Sequence, residues 1–92
     1  MSEQTISVDL EIKNQKGLHA RAAAAFVKTT ELFDVSVEVE RIGQVVNGSS
    51  IMGLMMLAAS KGTYIKITAQ GNEAEGVIEA LSTLLNNKFG ED

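Results

Sequence analysis

The chain contains no cysteine, no proline and no tryptophan, and a single histidine among its 92 residues. Without thiols there is neither a disulfide framework nor a thiolate metal site. One imidazole excludes any site built on two. With no proline and no low-complexity stretch, nothing marks a linker along which the chain would divide. No apolar run approaches the ~20 residues of a membrane span. The polar start Met1-Ser2-Glu3-Gln4 lacks the basic and apolar regions of a secretion signal. Basic residues are also few: eight Lys and Arg stand against twelve Asp and Glu, for a net charge of −4. Nucleic-acid binding relies on clustered cations neutralising phosphates, so that class is disfavoured. These absences predict a cytoplasmic protein, inserted in no membrane and bound to no nucleic acid, folded as one domain over residues 1–92.

What is present fits an ordinary globular domain: 45% hydrophobic and 22% charged residues argue against disorder. A chain this short buries roughly 60–70% of its unfolded surface, enough for one modest core and little room for a deep substrate cavity.

Hydrophobic periodicity gives the element order. Ile6, Val8, Leu10 and Ile12 alternate with Ser7, Asp9 and Glu11, the period of a half-buried strand. Asn14 to Gly17 reads as a loop, and Ala20 to Glu31 carries Ala22, Ala23, Phe26, Val27 and Thr30 at helical spacing. Val35, Val37 and Val39 mark a second strand, and after a turn at Gly43 the segment Gln44 to Asn47 marks a third. Asn47-Gly48-Ser49-Ser50 is turn and cap chemistry opening a short helix with Ile51, Leu54, Met55 and Ala58 on one side, ended by Lys61-Gly62. Ile65, Ile67 and Ala69 alternate in a fourth strand broken at Gly71. Asn72 and Glu75 have capping-box spacing before the stripe Ala74, Val77, Ile78, Leu81, Leu84 and Leu85. The order β-α-β-β-α-β-α, with strands polar on one face, predicts an α+β open-faced β-sandwich: a four-stranded antiparallel sheet with three helices on one face.

Chemistry concentrates in Gly17-Leu18-His19-Ala20-Arg21-Ala22-Ala23, which sets the histidine where a loop enters a helix. Unpaired amides and the positive end of the helix dipole favour an anion there. Two residues on, Arg21 adds a guanidinium fork suited to phosphate oxygens. A neutral imidazole can attack phosphorus directly, and an arginine with helix amides supplies the charge stabilisation that phosphoryl transfer needs. His-x-Arg alone fits equally well a polar helix-end residue beside a solvated cation. No Ser-His-Asp set and no G-x-x-x-x-G-K-[ST] loop points to another mechanism. Ile51, Met52, Met55 and Met56 exceed what one short helix can hide once Leu54 and Leu57 face the core. They either complete that core or form an adaptable docking surface.

Two blocks at this separation, Gly17-Leu18-His19-Ala20-Arg21-Ala22 and Ser50-Ile51-Met52-Gly53-Leu54-Met55, resemble the HPr family. These are the histidine-containing phosphocarriers of bacterial phosphotransferase systems, and the resemblance covers nearly the whole chain. It implies a protein substrate rather than an enzyme, phosphorylated on Nδ1 of His19. Arg21 would steady the phosphoryl group, and the amides of Ala20 and Arg21 would be hydrogen-bond donors. Enzyme I would be the donor protein and an EIIA-type protein the acceptor. Ser50 corresponds to the family's regulatory serine, where an HPr kinase/phosphorylase acts in lineages that have one. It also reads simply as a helix N-cap. The resemblance further implies partner docking through Ile51, Met52 and Met55 beside His19, with Lys28 as a basic contact and Phe26 in the core. One departure is Ala22, where the family carries proline after the arginine, which leaves one more helix amide unblocked. Leu54 to Gly62 and the ending Asn87-Lys88-Phe89-Gly90-Glu91-Asp92 resemble the nitrogen-related branch (NPr). A sugar-transport HPr, a regulatory module controlled through Ser50, and a small hydrolase or transferase using His19 as general base are the alternatives; neither a metal nor a cofactor is expected. A monomer is expected.

Overall fold

A computed structural model describes residues 4–91. The strands are β1 (Gln4–Glu11), β2 (Ser36–Arg41), β3 (Gln44–Asn47) and β4 (Tyr64–Gly71). The helices are α1 (Ala20–Glu31), α2 (Ile51–Met56) and α3 (Ala74–Asn86), and a 3₁₀ turn, Lys88–Gly90, follows α3. The strands form one antiparallel sheet in the order β1-β4-β2-β3. This is the α+β open-faced sandwich that the alternation predicts.

Register explains the two faces. Val8, Ile67, Val39 and Val46 lie abreast across all four strands. They turn toward the helices, where Ile67 and Val39 are fully buried. One residue along, Asp9, Lys66 and Glu40 lie abreast on the opposite face, where cross-strand charges of opposite sign are compatible. Onto the apolar face α1 lays Ala22, Ala23, Phe26 and Val27, and α3 lays Ala74, Val77, Leu81 and Leu85. Phe26 is fully buried, as its spacing predicts.

Three local readings are corrected. The Asn72–Glu75 capping box does not form: Glu73 occupies the N-cap of α3 with no side-chain cap bond. Instead its Oε1 accepts from the Asp34 amide at 2.6 Å, tying the start of α3 to the β2 entrance. Helix α2 stops at Met56 rather than running to Lys61, because Ala58 turns into the left-handed region with φ 52°. Strand β2 begins at Ser36, not Val35, and extends to Arg41. Among the described residues no helix is long and apolar enough to cross a membrane.

Candidate functional site

The loop between β1 and α1 is fixed at both ends before it delivers His19. Ile12 exchanges backbone hydrogen bonds with Thr63 and Gly62, and the Leu18 amide donates to Ala59 O at 2.9 Å. Gly17 makes this docking possible. Its φ is +67°, and a Cβ there would stand 2.5 Å from Ala59 O, closer than any side chain tolerates. Leu18 is then buried and the next residue emerges at the mouth of the helix.

His19 is the N-cap of α1, with extended backbone (φ −80°, ψ −177°) and no side-chain cap bond. Its carbonyl accepts from Ala23, the first intrahelical bond. The amides of Ala20 and Arg21 therefore point out of the first turn without a partner among the described residues. The imidazole is held from elsewhere. Its Nε2 lies 2.5 Å from Glu91 Oε2, and the other Glu91 oxygen accepts from Asn14 Nδ2 at 2.9 Å.

That arrangement selects a tautomer. A carboxylate offers only acceptors, so Nε2 carries the hydrogen and the neutral ring keeps its lone pair on Nδ1. The Glu91 carboxyl is held below the ordinary carboxylate range chiefly by the Asn14 hydrogen bond. The His19 contact and the Lys16 charge add to this, and partial burial opposes it. Asn14 is itself fully buried and also donates to Gly17 O at 2.7 Å, so one amide braces both the loop and the carboxylate.

Glu91 reaches the site because the chain reverses after α3. Lys88, Phe89 and Gly90 all have left-handed φ, at 57°, 56° and 77°. Phe89 packs against the core while Gly90 and Glu91 turn back over the loop. There, with Gln15, Lys16 and Arg21, they line a shallow concavity of about 410 Å³. Arg21 is exposed and forms no ion pair among the described residues, so its guanidinium is available to an anion beside the helix amides. A larger apolar hollow, about 800 Å³, lies between α1 and α3 behind Phe89 and does not include His19.

Helix α2 packs beside α1, and the segment leaving it carries the Ala59 carbonyl that holds Leu18. Ser50 caps it: the Oγ accepts from Gly53 N at 2.9 Å. Leu54 and Leu57 face inward and are buried, whereas Ile51, Met52, Met55 and Met56 are all exposed. The apolar cluster is therefore surface. Lys28 is exposed in the last turn of α1, two turns along the helix from Arg21.

The family model described as "PTS HPr component phosphorylation site" matches residues 6–87. The chain belongs to the HPr family of phosphocarriers. A phosphocarrier protein HPr of Neisseria meningitidis is 48% identical over 82 residues, covering 89% of this chain and 92% of that protein. One of Xylella fastidiosa is 43% identical over 84 residues, covering 91% and 94%. The crystal structure of HPr-C-His from Thermoanaerobacter tengcongensis superposes with a TM-score of 0.85 at 47% identity, covering 100% of this chain and 99% of that one. HPr proteins are phosphocarriers of the phosphotransferase system rather than enzymes.

Two residues that the structure brings to His19 are not evident from the sequence. Asn14 reads there as one polar loop residue among several. Glu91 lies 72 positions from His19, and only the reversal at Lys88–Gly90 brings them together. The one available signal was a glycine followed by acidic residues just past a helix end.

Proposed function

We propose that this HPr protein carries its phosphoryl group on Nδ1 of His19, receiving it from Enzyme I and passing it to an EIIA-type protein in the cytoplasm. The Nε2–Glu91 contact carries the reading, because it leaves Nδ1 as the ring's nucleophile at the first turn of α1. In the transfer the Nδ1 lone pair forms the new N–P bond as phosphorus separates from the donor atom. Arg21 and the amides of Ala20 and Arg21 neutralise the transferred oxygens, and electrostatic positioning of this kind is what phosphoryl transfer chiefly requires. Glu91 holds the Nε2 hydrogen throughout.

Ile51, Met52 and Met55, with Lys28 at the margin, form the docking face for both partners. A small adaptable patch suits a carrier that must release each partner quickly. The working unit is one HPr-like domain over residues 1–92, acting as a monomer. The nitrogen-related branch is favoured by Leu54–Gly62 and the acidic ending, over a sugar-transport HPr. Ser50 is the candidate target of an HPr kinase/phosphorylase. A phosphate there would add up to about two negative charges at the start of α2, beside the docking face.

Incubation with phosphoenolpyruvate and Enzyme I tests the carrier role. The parent acquires one acid-labile, base-stable phosphoryl group and the His19→Ala variant acquires none. Label on the variant at the parental rate would refute the assignment. Faster transfer from a nitrogen-branch than from a sugar-branch Enzyme I is expected, and the reverse order would reassign the branch.

A further inference from the structure

Three of the chain's four methionines fall within five residues, Met52, Met55 and Met56, on the six-residue helix α2. Met52 is 70% exposed and Met56 64%, against 39% for Met55. The chain has no cysteine, so no thiol competes with these thioethers for a hydroperoxide. Helix α2 carries no charged side chain, so whatever meets it there meets an apolar face. Its attachment to the fold is made by other groups. Leu54 and Leu57 are buried, Ser50 caps the first turn, and the Arg41 guanidinium donates to Leu57 O at 3.1 Å. The exposed sulfurs can therefore change chemically while the helix stays in place.

We propose that Met52 of the docking face and Met56, one turn further along the same side of α2, form a reversible oxidation site at which a hydroperoxide switches off partner docking. The inference rests on the docking role proposed above for α2. In the forward step a thioether sulfur attacks one peroxide oxygen. The S–O bond forms as the O–O bond breaks, sulfur loses two electrons, and water or an alcohol leaves. In the reverse step a dithiol-dependent sulfoxide reductase returns the thioether, releasing water as the dithiol becomes a disulfide. The sulfoxide places a strong, polar acceptor in the middle of an apolar contact. A partner closing over it must strip its water without offering a donor in return.

The carrier is treated alone with hydrogen peroxide, the peroxide is removed with catalase, and sulfoxides are mapped by peptide mass. Phosphoryl uptake from phosphoenolpyruvate and Enzyme I is then measured. Met52 and Met56 oxidise before Met55, circular dichroism is unchanged, and KM for the carrier rises roughly fivefold or more with little change in kcat. Sulfoxide reductases with dithiothreitol restore the parental KM. In a Met52→Leu/Met56→Leu variant, treated and untreated samples have the same KM, whatever its starting value. Unreactive thioethers, or a mapped sulfoxide protein with parental KM, overturn the proposal. Met52→Glu separates the two readings. If it raises KM while the sulfoxide does not, only the oxidation switch fails; if it too leaves KM unchanged, the docking face fails as well.

Discussion

His19 Nε2 and Glu91 Oε2 stand 2.5 Å apart across 72 positions of sequence, a contact that, with an ionised Glu91, places the hydrogen of a neutral ring on Nε2. Removing the carboxylate with Glu91→Ala lets the neutral ring sample both tautomers. The ¹⁵N shifts of the neutral His19 ring should then move from a Nε2–H pattern toward a mixture. Phosphoryl uptake should slow by roughly three- to tenfold, the scale expected for one partly exposed hydrogen bond. An unchanged tautomer in Glu91→Ala would count against the tail's positioning role.

The tail contact also has a pH signature. Glu91 titrates below the ordinary carboxylate range, with the Asn14 donor as the largest cause. A carboxyl whose folded pKa is depressed contributes stability in full above its unfolded pKa and loses it as pH falls through the folded one. The tail should stay seated at neutral pH and release only in acid. Asn14→Ala should move the Glu91 midpoint, read from its side-chain ¹³C shift, back up toward that of a free glutamate.

Much of this was legible beforehand, because α1, β3 and the inward rows are set by local periodicity. Phe26, Val27 and Thr30 have one environment available once Ala22 and Ala23 face the sheet. The His19 position was legible for the same reason, since a loop glycine and an alanine-rich helix bracket it. What escaped was whatever depends on tertiary closure. Asn72 is displaced from its cap because Glu73 finds the Asp34 amide instead. Asn14 and Glu91 join the site only after three successive left-handed residues reverse the chain.

Two glycines separate strain from collision. Gly43 has φ +79° with nothing within 4 Å of a built Cβ, so Gly43→Ala should cost about 1–2 kcal/mol for the left-handed backbone alone. Gly17→Ala adds a clash with Ala59 O. Its cost in denaturant unfolding should therefore exceed that of Gly43→Ala, and because the displaced loop carries His19, phosphoryl uptake should fall with it.

Helix α2 divides its residues between buried Leu54 and exposed Ile51, Met52, Met55 and Met56, the first three in the proposed docking face. Leu54→Ala removes a fully buried side chain and should destabilise by about 2–5 kcal/mol. Met52→Ala, at an exposed position, should shift stability by no more than ~0.5 kcal/mol. It should nevertheless raise KM for the carrier in transfer from Enzyme I. Ser50→Ala should cost about 1 kcal/mol through loss of the Gly53 cap bond.

The regiochemistry of the phosphorylated ring is the most direct test. With ¹⁵N-labelled carrier phosphorylated by phosphoenolpyruvate and Enzyme I, long-range ¹H–¹⁵N spectra report which nitrogen bears phosphorus. The Glu91 contact predicts phosphorus on Nδ1 of His19 and a hydrogen retained on Nε2; phosphorus on Nε2, or on any other residue, would contradict it.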